Sequence, residues 1–234
     1  MAARAAHQVA ALLARKPAAA IAVPTGSTPL GLFRHLAEMH AAGRLSCRHA
    51  RFFNLDEFVG CAAADPRSYA AFLWEHLFRP LAVDPGQVRL LRGDAPDPIV
   101  ECRRFDQAIA AAGGLDLTIL GLGTNGHVAF NEPGSDGDSA TREVVLTEAT
   151  RRAQLGRFAA QSDVPRRGLT LGLSTIRAAR AILLLASGPG KEAAMAAALR
   201  GQPDASWPVT AILGHPALTV LADDGLNPQR PIPG

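Results

Sequence analysis

Residues 18–30 read A-A-A-I-A-V-P-T-G-S-T-P-L, an apolar run that ends at a proline and opens into a loop of hydroxyl-bearing residues and glycine. The run Ala18–Val23 predicts a buried strand, and the spacing of apolar residues in Leu30–Ala42 predicts the helix that follows it. A second strand is expected at Arg51–Leu55. Strand, helix and strand in this order indicate a βαβ unit with a parallel sheet.

The same alternation continues along the chain and predicts an α/β fold. An amphipathic helix is expected over Ala2–Lys16, and Asp97 is expected to cap a helix that begins at Pro98. Further helices are predicted at Ser68–Phe78 and Lys191–Leu199, and further strands at Val88–Leu91, Leu115–Leu120, Arg142–Thr147, Ala181–Ala186 and Leu218–Leu221. The expected architecture is a single domain over residues 1–234, an open, Rossmann-like, mostly parallel sheet flanked by helices, with a Pro/Gly-rich tail.

Composition narrows the class of protein. Hydrophobic residues make up 48% and charged residues 19%, which suits a chain that buries a sheet between helices. The formal charge of +3 comes from scattered basic residues, so no nucleic-acid partner is expected. No apolar run has membrane-spanning length. Cys47, Cys61 and Cys102 are widely spaced and form no C-x-x-C motif, which favours reduced thiols in a cytoplasmic protein over a disulfide framework or a zinc site.

The loops that follow the strands are expected to carry the function, because parallel strands place all their carboxyl ends at one edge of the sheet. In the loop Pro24–Pro29, Gly26 would let the backbone approach an anion while the neighbouring hydroxyl groups donate hydrogen bonds. The amino end of the next helix would add roughly half a positive charge. The alternative is an ordinary capping turn in which Ser27 or Thr28 satisfies the helix amides.

A second loop, Ser187–Lys191, resembles a P-loop and fails its test. Leu185 stands where the first glycine is needed, and Glu192 follows the lysine in place of serine or threonine. Binding of a nucleoside triphosphate is therefore not expected. What remains is Lys191 at a glycine-rich helix start, which is suited to neutralise a single phosphate group.

Two further stretches supply candidate acids and bases. Asp56 and Glu57 follow the strand Arg51–Leu55, where one of the two carboxylates could be a general base. Residues 121–133 contain a formal G-x-G-x-x-G, but glycines and a proline precede the next strand, so the crossover helix of a dinucleotide site is missing. His127 and Glu132 lie close enough in this stretch to pair. A lone histidine is more often structural, but the second acid favours a functional role.

Residues 23–31 (V-P-T-G-S-T-P-L-G), 53–60 (F-N-L-D-E-F-V-G) and 126–133 (G-H-V-A-F-N-E-P), in this order, closely resemble motifs of the glucosamine-6-phosphate deaminase/isomerase family. Weaker similarity extends over nearly the whole chain. The wider family includes 6-phosphogluconolactonases, but residues 55–57 and 131–133 resemble the deaminase branch.

The resemblance implies that glucosamine 6-phosphate and water give fructose 6-phosphate and ammonia without a metal or cofactor, as part of amino-sugar catabolism. His127 would assist ring opening while Glu132 orients its imidazole, and Asp56 would move the C2 proton to C1 through an enolamine. The implied substrate- and phosphate-binding residues are Thr25, Gly26, Ser27, Thr28, Gly123, Arg157 and Lys191.

Several features depart from the family pattern. Asn125 stands where many members carry an acid that completes the relay to His127; it could instead shape the turn at a positive φ. Matching Arg157 to the family ligand requires an inserted residue. The carboxyl end lacks the extension seen in allosteric hexameric members of the family. The resemblance therefore implies a monomer or small homo-oligomer without allostery. Galactosamine 6-phosphate deaminase, lactonase and non-catalytic sugar-phosphate sensor remain as alternatives.

Overall fold

The computed structural model describes residues 1–226 and confirms the α/β architecture. The predicted Pro/Gly-rich tail, residues 227–234, lies outside the described part. The strands are β1 (Ala20–Val23), β2 (Arg51–Asn54), β3 (Asp56–Phe58), β4 (Val88–Arg89), β5 (Leu117–Gly121), β6 (Arg142–Val145), β7 (Arg167–Thr170), β8 (Ile182–Ala186) and β9 (Leu218–Ala222). The α-helices are α1 (Ala2–Arg15), α2 (Leu30–Ala41), α3 (Tyr69–Leu73), α4 (Pro98–Ala111), α5 (Glu148–Ala153), α6 (Leu173–Arg177) and α7 (Glu192–Leu199).

Six strands form a parallel sheet in the order β4-β2-β1-β5-β8-β9. Strand β1 pairs with β2 on one side and with β5 on the other, so the chain builds one half of the sheet and then returns to build the second half. Loops that leave the carboxyl ends of β1 and β5 therefore diverge and leave a crevice between them. This crevice is where the strand order predicts a ligand site.

Side chains of β1 alternate between two apolar cores, one on each face of the sheet. Ala20 and Ala22 pack in the core that α4, α6 and α7 cover, whereas Ile21 and Val23 pack in the core that α1 and α2 cover. A strand with helices on both faces has no polar side, so all four residues are buried. The continuous apolar run at this point of the sequence is the direct result.

A second, antiparallel sheet of order β3-β7-β6 corrects the prediction from sequence. Asp56 and Glu57 were expected in a plain loop, but they begin β3, and neither β3 nor β7 was predicted. Strand β3 has only three residues, and β7 reads Arg-Gly-Leu-Thr, so neither carries a readable alternation. Gly168 in β7 is required by packing, since a Cβ atom there would lie 2.6 Å from the Phe130 ring.

The predicted helix starts hold, although two short helices were missed. Asp97 caps α4 by accepting hydrogen bonds from the amides of Ile99 (2.8 Å) and Val100 (3.1 Å). The segment predicted as one helix at Ser68–Phe78 is α3 followed by a π-helical turn. Helices α5 and α6 are too short to show a period in the sequence. None of the helices in residues 1–226 is both long and apolar enough to cross a membrane.

Candidate active site

A cavity of about 800 Å³ opens at the carboxyl edge of the parallel sheet, beside β1 and β5. The loops after β1, β5 and β8 and the start of β3 all contribute to its walls. Of the residues predicted from sequence, those that line it are Thr25, Gly26, Ser27, Thr28, Asp56, Gly123, His127, Arg157 and Lys191. Asn125 and Glu132 lie behind the cavity wall, where Asn125 is hydrogen-bonded to His127 and Glu132 is hydrogen-bonded to Asn125. Residues far apart in the sequence thus meet at the crevice that the strand order creates.

The loop after β1 has the form of an anion cradle. Gly26 adopts a positive φ of 92°, which turns the backbone sharply at low steric cost. Helix α2 begins at Leu30 with Pro29 as its cap residue and receives no capping hydrogen bond from a side chain. The capping alternative for Ser27 and Thr28 is therefore wrong. Both residues line the cavity.

Lys191 brings a positive charge to this cradle from the loop after β8. Its Nζ atom lies 3.4 Å from Thr28 Oγ1, and Ser187 Oγ lies 3.3 Å from the same oxygen. Burial lowers the pKa of Lys191, and the negative charge of Asp223 opposes that shift. A bound phosphate dianion would restore the favourable electrostatics of the ammonium group.

The two adjacent acids at β3 have different roles. Glu57 is buried, and its carboxylate accepts hydrogen bonds from the amides of Phe58 (2.9 Å), Tyr69 (3.0 Å) and Ala70 (2.8 Å). It therefore ties the first turn of α3 to β3. Burial raises the pKa of Glu57 to about 7, while these three amides act to lower it. Glu57 therefore has a structural role, and it does not line the cavity.

Asp56 is the acid that faces the cavity. Burial, and secondarily the charge of Glu57, raise the pKa of Asp56 well above its usual 3.8. A carboxylate that is poorly solvated binds a proton more strongly, which is the property that a general base requires. The structure thus separates two neighbouring carboxylates that residue type alone left as equal candidates and of which the family resemblance implied Asp56.

His127, Asn125 and Glu132 form a hydrogen-bonded chain that leads away from the cavity. His127 Nδ1 lies 2.6 Å from Asn125 Oδ1, and Asn125 Nδ2 donates to Glu132 Oε2 at 3.0 Å. The direct distance from His127 Nδ1 to Glu132 Oε2 is 3.9 Å, so the two do not share a hydrogen bond. Asn125 lies between them, and Glu132 supports the imidazole through the amide. Thr147 Oγ1 donates to the other carboxylate oxygen at 3.2 Å.

The hydrogen bonds among these three side chains determine which nitrogen of His127 carries the proton. A carboxylate only accepts, so the amide group of Asn125 must face Glu132 and its carbonyl oxygen must face His127. His127 Nδ1 is therefore the donor, and Nε2 of the neutral ring is free to accept a proton at the cavity. Burial lowers the pKa of His127 below its usual 6.5; Glu132 raises it and Lys191 lowers it further.

Two glycines shape the turn that holds His127. Gly126 has a φ of 78°, whereas Asn125 does not adopt the positive φ that was considered for it. Asn125 supports the turn with its side chain, because its Oδ1 accepts a hydrogen bond from the amide of His127 at 3.3 Å. Gly123 lies against the imidazole, where a Cβ atom would be 2.3 Å from the ring. Its amide donates to the carbonyl oxygen of His127 at 2.9 Å and closes the loop.

Arg157 reaches the cavity from the segment after α5. Its guanidinium lies over the rings of Tyr69, at 5.3 Å, and Phe72, at 5.1 Å from the ring centres. Its Nη1 also donates to the carbonyl oxygens of Arg67 (3.5 Å) and Ser68 (3.4 Å), and together with the cation–π contacts these bonds hold the side chain at the cavity wall. The predicted residue thus joins the same cavity as Lys191.

Several residues that line the cavity were not predicted from the sequence. Lining residues outside the predicted set include Tyr69, Phe72, Glu75, His76, Thr150 and Gln154. These residues lie on α3, the π-helical turn and α5, and no spacing pattern connects them to the strand loops. The Ser68-Tyr69 pair belonged to the weaker family similarity, and it was the one available signal. Within residues 1–226, no cluster of three or more His, Cys, Asp or Glu could hold a metal ion.

Asn125→Asp should raise the pKa of His127, because a second carboxylate beside Nδ1 stabilises the imidazolium. The pH profile of kcat/KM should show the limb that reports His127 moved to higher pH. The shift will be limited, since the new carboxylate would face Glu132 Oε2 at about the 3.0 Å that now separates Asn125 Nδ2 from it, and the two acids would share a proton. Superimposable profiles would show that residue 125 does not influence the imidazole.

Comparisons with known proteins show which family the chain belongs to. The sequence profile of the glucosamine-6-phosphate isomerases and 6-phosphogluconolactonases matches residues 1–220. A glucosamine-6-phosphate deaminase of Beutenbergia cavernae is 44% identical over 219 residues, 93% of this chain and 84% of the relative. Another, of Aedes aegypti, is 40% identical over 87% of this chain and 74% of the relative.

Solved structures show the same pattern. A monomeric glucosamine-6-phosphate deaminase is 36% identical and superposes with a TM-score of 0.92, covering 94% of this chain and 92% of the other. A 6-phosphogluconolactonase of Thermotoga maritima is 22% identical with a TM-score of 0.72, covering 94% and 90%, a likeness of fold alone. The chain therefore belongs to the glucosamine-6-phosphate isomerase/6-phosphogluconolactonase family.

Proposed function

We propose that this protein is a glucosamine-6-phosphate deaminase, which converts glucosamine 6-phosphate and water to fructose 6-phosphate and ammonia without a metal. The observation that carries the proposal is the meeting of Asp56 and His127 in one cavity with the anion cradle. An aldose-to-ketose conversion needs a base that reaches two adjacent carbons and a separate group at the ring oxygen. The deaminase relatives support this assignment.

The phosphate group is held by the loop after β1 together with Lys191 and Arg157. Amides and hydroxyl groups of residues 25–28 supply hydrogen bonds, and the two cations, which also line the cavity, supply positive charge. This anchoring fixes the distance from the phosphate to the reacting carbons. It places C1 and C2 near Asp56 and the ring oxygen near His127.

His127 starts the reaction by taking the proton of the sugar's O1 hydroxyl and delivering a proton to the ring oxygen, so that the ring opens to the aldehyde. Asn125 fixes the tautomer that leaves Nε2 facing the sugar, and Glu132 supports the imidazolium through that amide. Asp56 then takes the C2 proton and returns it to C1. The enolamine so formed becomes an imine at C2, which water hydrolyses to the ketone and ammonia.

A single set of assays tests the proposal against its alternatives. Ammonia release is measured from glucosamine 6-phosphate and from galactosamine 6-phosphate, and acid release is measured from 6-phosphogluconolactone. We expect the highest kcat/KM with glucosamine 6-phosphate. Faster reaction of the galactosamine epimer or of the lactone would assign the site to the corresponding alternative, and no turnover of any of the three would indicate a sensor.

Lys191→Ala should raise KM for the phosphorylated substrate by about 10- to 100-fold, because it removes a charge-assisted contact of roughly 1.5–3 kcal/mol. Little change is expected in kcat. Arg200→Ala is the matched control, since Arg200 is an exposed cation at the other end of the same helix, α7. An unchanged KM for Lys191→Ala would place the phosphate elsewhere in the cavity.

Other properties follow from the same proposal. The whole chain forms one catalytic domain, active as a monomer or small homo-oligomer, with a small amino-sugar phosphate as its partner. Cys47, Cys61 and Cys102 are buried free thiols, which supports a cytoplasmic location. Gel filtration with light scattering would measure the assembly state.

A further inference from the structure

Tyr69 is anchored beside the strand that carries Asp56, yet the proposed mechanism gives it no role. It is the first residue of α3 and only 5% exposed. Its amide donates to Glu57 Oε1 at 3.0 Å, which ties the start of the helix to the residue next to Asp56. The position of Tyr69 relative to the base is therefore fixed by the backbone.

The ring of Tyr69 lies on the face of β3 that also carries Asp56. Successive side chains of a strand alternate, so Asp56 and Phe58 share one face. The Tyr69 ring packs on Phe58 with 4.7 Å between ring centres and on Phe130 with 5.7 Å. Arg157 lies over the ring at 5.3 Å and restricts its movement. The phenol is thus held rigidly next to the general base.

The hydroxyl group of Tyr69 is suited to donate a hydrogen bond within the cavity. Tyr69 and Thr25 both line the cavity wall. Burial, followed by the charge of Asp56, raises the pKa of Tyr69 well above 10. The phenol therefore stays protonated at neutral pH.

Enolisation of the open-chain substrate develops negative charge that a hydrogen bond from this hydroxyl can stabilise. Asp56 takes the proton from C2, the electrons of that C–H bond form the C1–C2 double bond, and the C1–O1 π electrons move onto O1. Negative charge therefore develops on O1, within reach of a group placed beside Asp56. Fixed donors at such a position are usually a large contribution to catalysis.

We propose that Tyr69 is a further catalytic residue, whose hydroxyl donates a hydrogen bond to O1 as the enolate charge develops. The inference rests on the proposed deaminase function. Atoms balance without any transfer from tyrosine: Asp56 delivers the proton taken from C2 to C1, where the C1–C2 π electrons form the new C–H bond and the nitrogen lone pair forms the C2=N bond. One N–H proton of the resulting iminium then passes to O1 and completes the C1 hydroxyl group.

Tyr69→Phe tests this role because it removes the hydroxyl and keeps the ring among its aromatic neighbours. We expect kcat for ammonia release to fall by about 10²- to 10³-fold with KM changed less than about threefold. With substrate deuterated at C2, the isotope effect on kcat should rise, since proton transfer becomes slower than the other steps. A merely structural role would leave that isotope effect unchanged.

Thr118→Val is the matched control, because it removes another buried hydroxyl, which has no hydrogen-bond partner and lies in the core strand β5. It should keep wild-type kcat. Binding of inorganic phosphate to Tyr69→Phe, measured by calorimetry, should equal wild type and show that the cavity is intact. If ammonia release and the isotope effect of Tyr69→Phe match wild type, the role of Tyr69 is overturned and the deaminase assignment stands. If wild-type protein releases no ammonia, the proposed function fails and this inference fails with it.

Discussion

Asp56→Asn should lower kcat for ammonia release by about 10⁴-fold while KM stays close to wild type. The base acts on the C2 proton and again at C1, so its loss removes the acid–base contribution, of order 10²- to 10⁴-fold, at the upper end of that range. Substrate affinity depends mainly on the phosphate contacts, which the change does not touch. Steady-state kinetics with a coupled ammonia assay measures both constants.

The same variant should be more stable than wild type at neutral pH. Because burial raises the pKa of Asp56 in the folded protein, ionisation at neutral pH favours the unfolded chain. This penalty is absent below pH 3.8, where both states are protonated, and it grows as the pH rises above that value. Asparagine carries no charge, so Tm near pH 7 should increase while the difference disappears in acid.

Asp94→Asn is the control for this pair of measurements, because Asp94 lies on an exposed loop and only approaches Arg92 at 3.8 Å. It should change neither kcat nor Tm appreciably. Near-wild-type turnover by Asp56→Asn would remove Asp56 from the mechanism. A fall in Tm together with the loss of activity would indicate that Asp56 supports the fold.

Gly123→Ala should lower kcat by about 10²- to 10⁴-fold, the usual contribution of a positioned acid–base group. The added methyl group would lie 2.3 Å from the His127 ring, far inside van der Waals contact, so the imidazole must move. A displacement of about 1 Å is already enough for roughly a 10²-fold loss. The hydrogen bond from His127 Nδ1 to Asn125 would lengthen at the same time, so that it would no longer fix the tautomer of the imidazole.

Gly214→Ala is the matched control for the substitution itself. A Cβ atom at Gly214 has no heavy atom within 4 Å, and the residue lies outside the cavity. The control should keep full activity and a wild-type Tm. If Gly123→Ala retained wild-type kcat, the loop could accommodate the displaced ring, and the requirement for this geometry would be refuted.

The sequence by itself determined the α/β class and the loops that carry the chemistry. Buried parallel strands are continuous apolar runs because helices cover both faces, and such runs are visible without a structure. Asp97 and Pro98 marked the start of α4 through local chemistry alone. The family motifs identified His127 and Asp56 because a reacting group must keep its residue type.

Only the tertiary structure decided what each of these residues does. The choice between Asp56 and Glu57 depends on three amides, two of them from α3, and the place of Asn125 between His127 and Glu132 depends on how one loop folds back. Tyr69 joined the site through the antiparallel sheet, whose strands are too short to be read from the sequence. Local patterns record burial and turn chemistry, whereas hydrogen-bond partners and pKa shifts arise between segments that meet only in the folded chain.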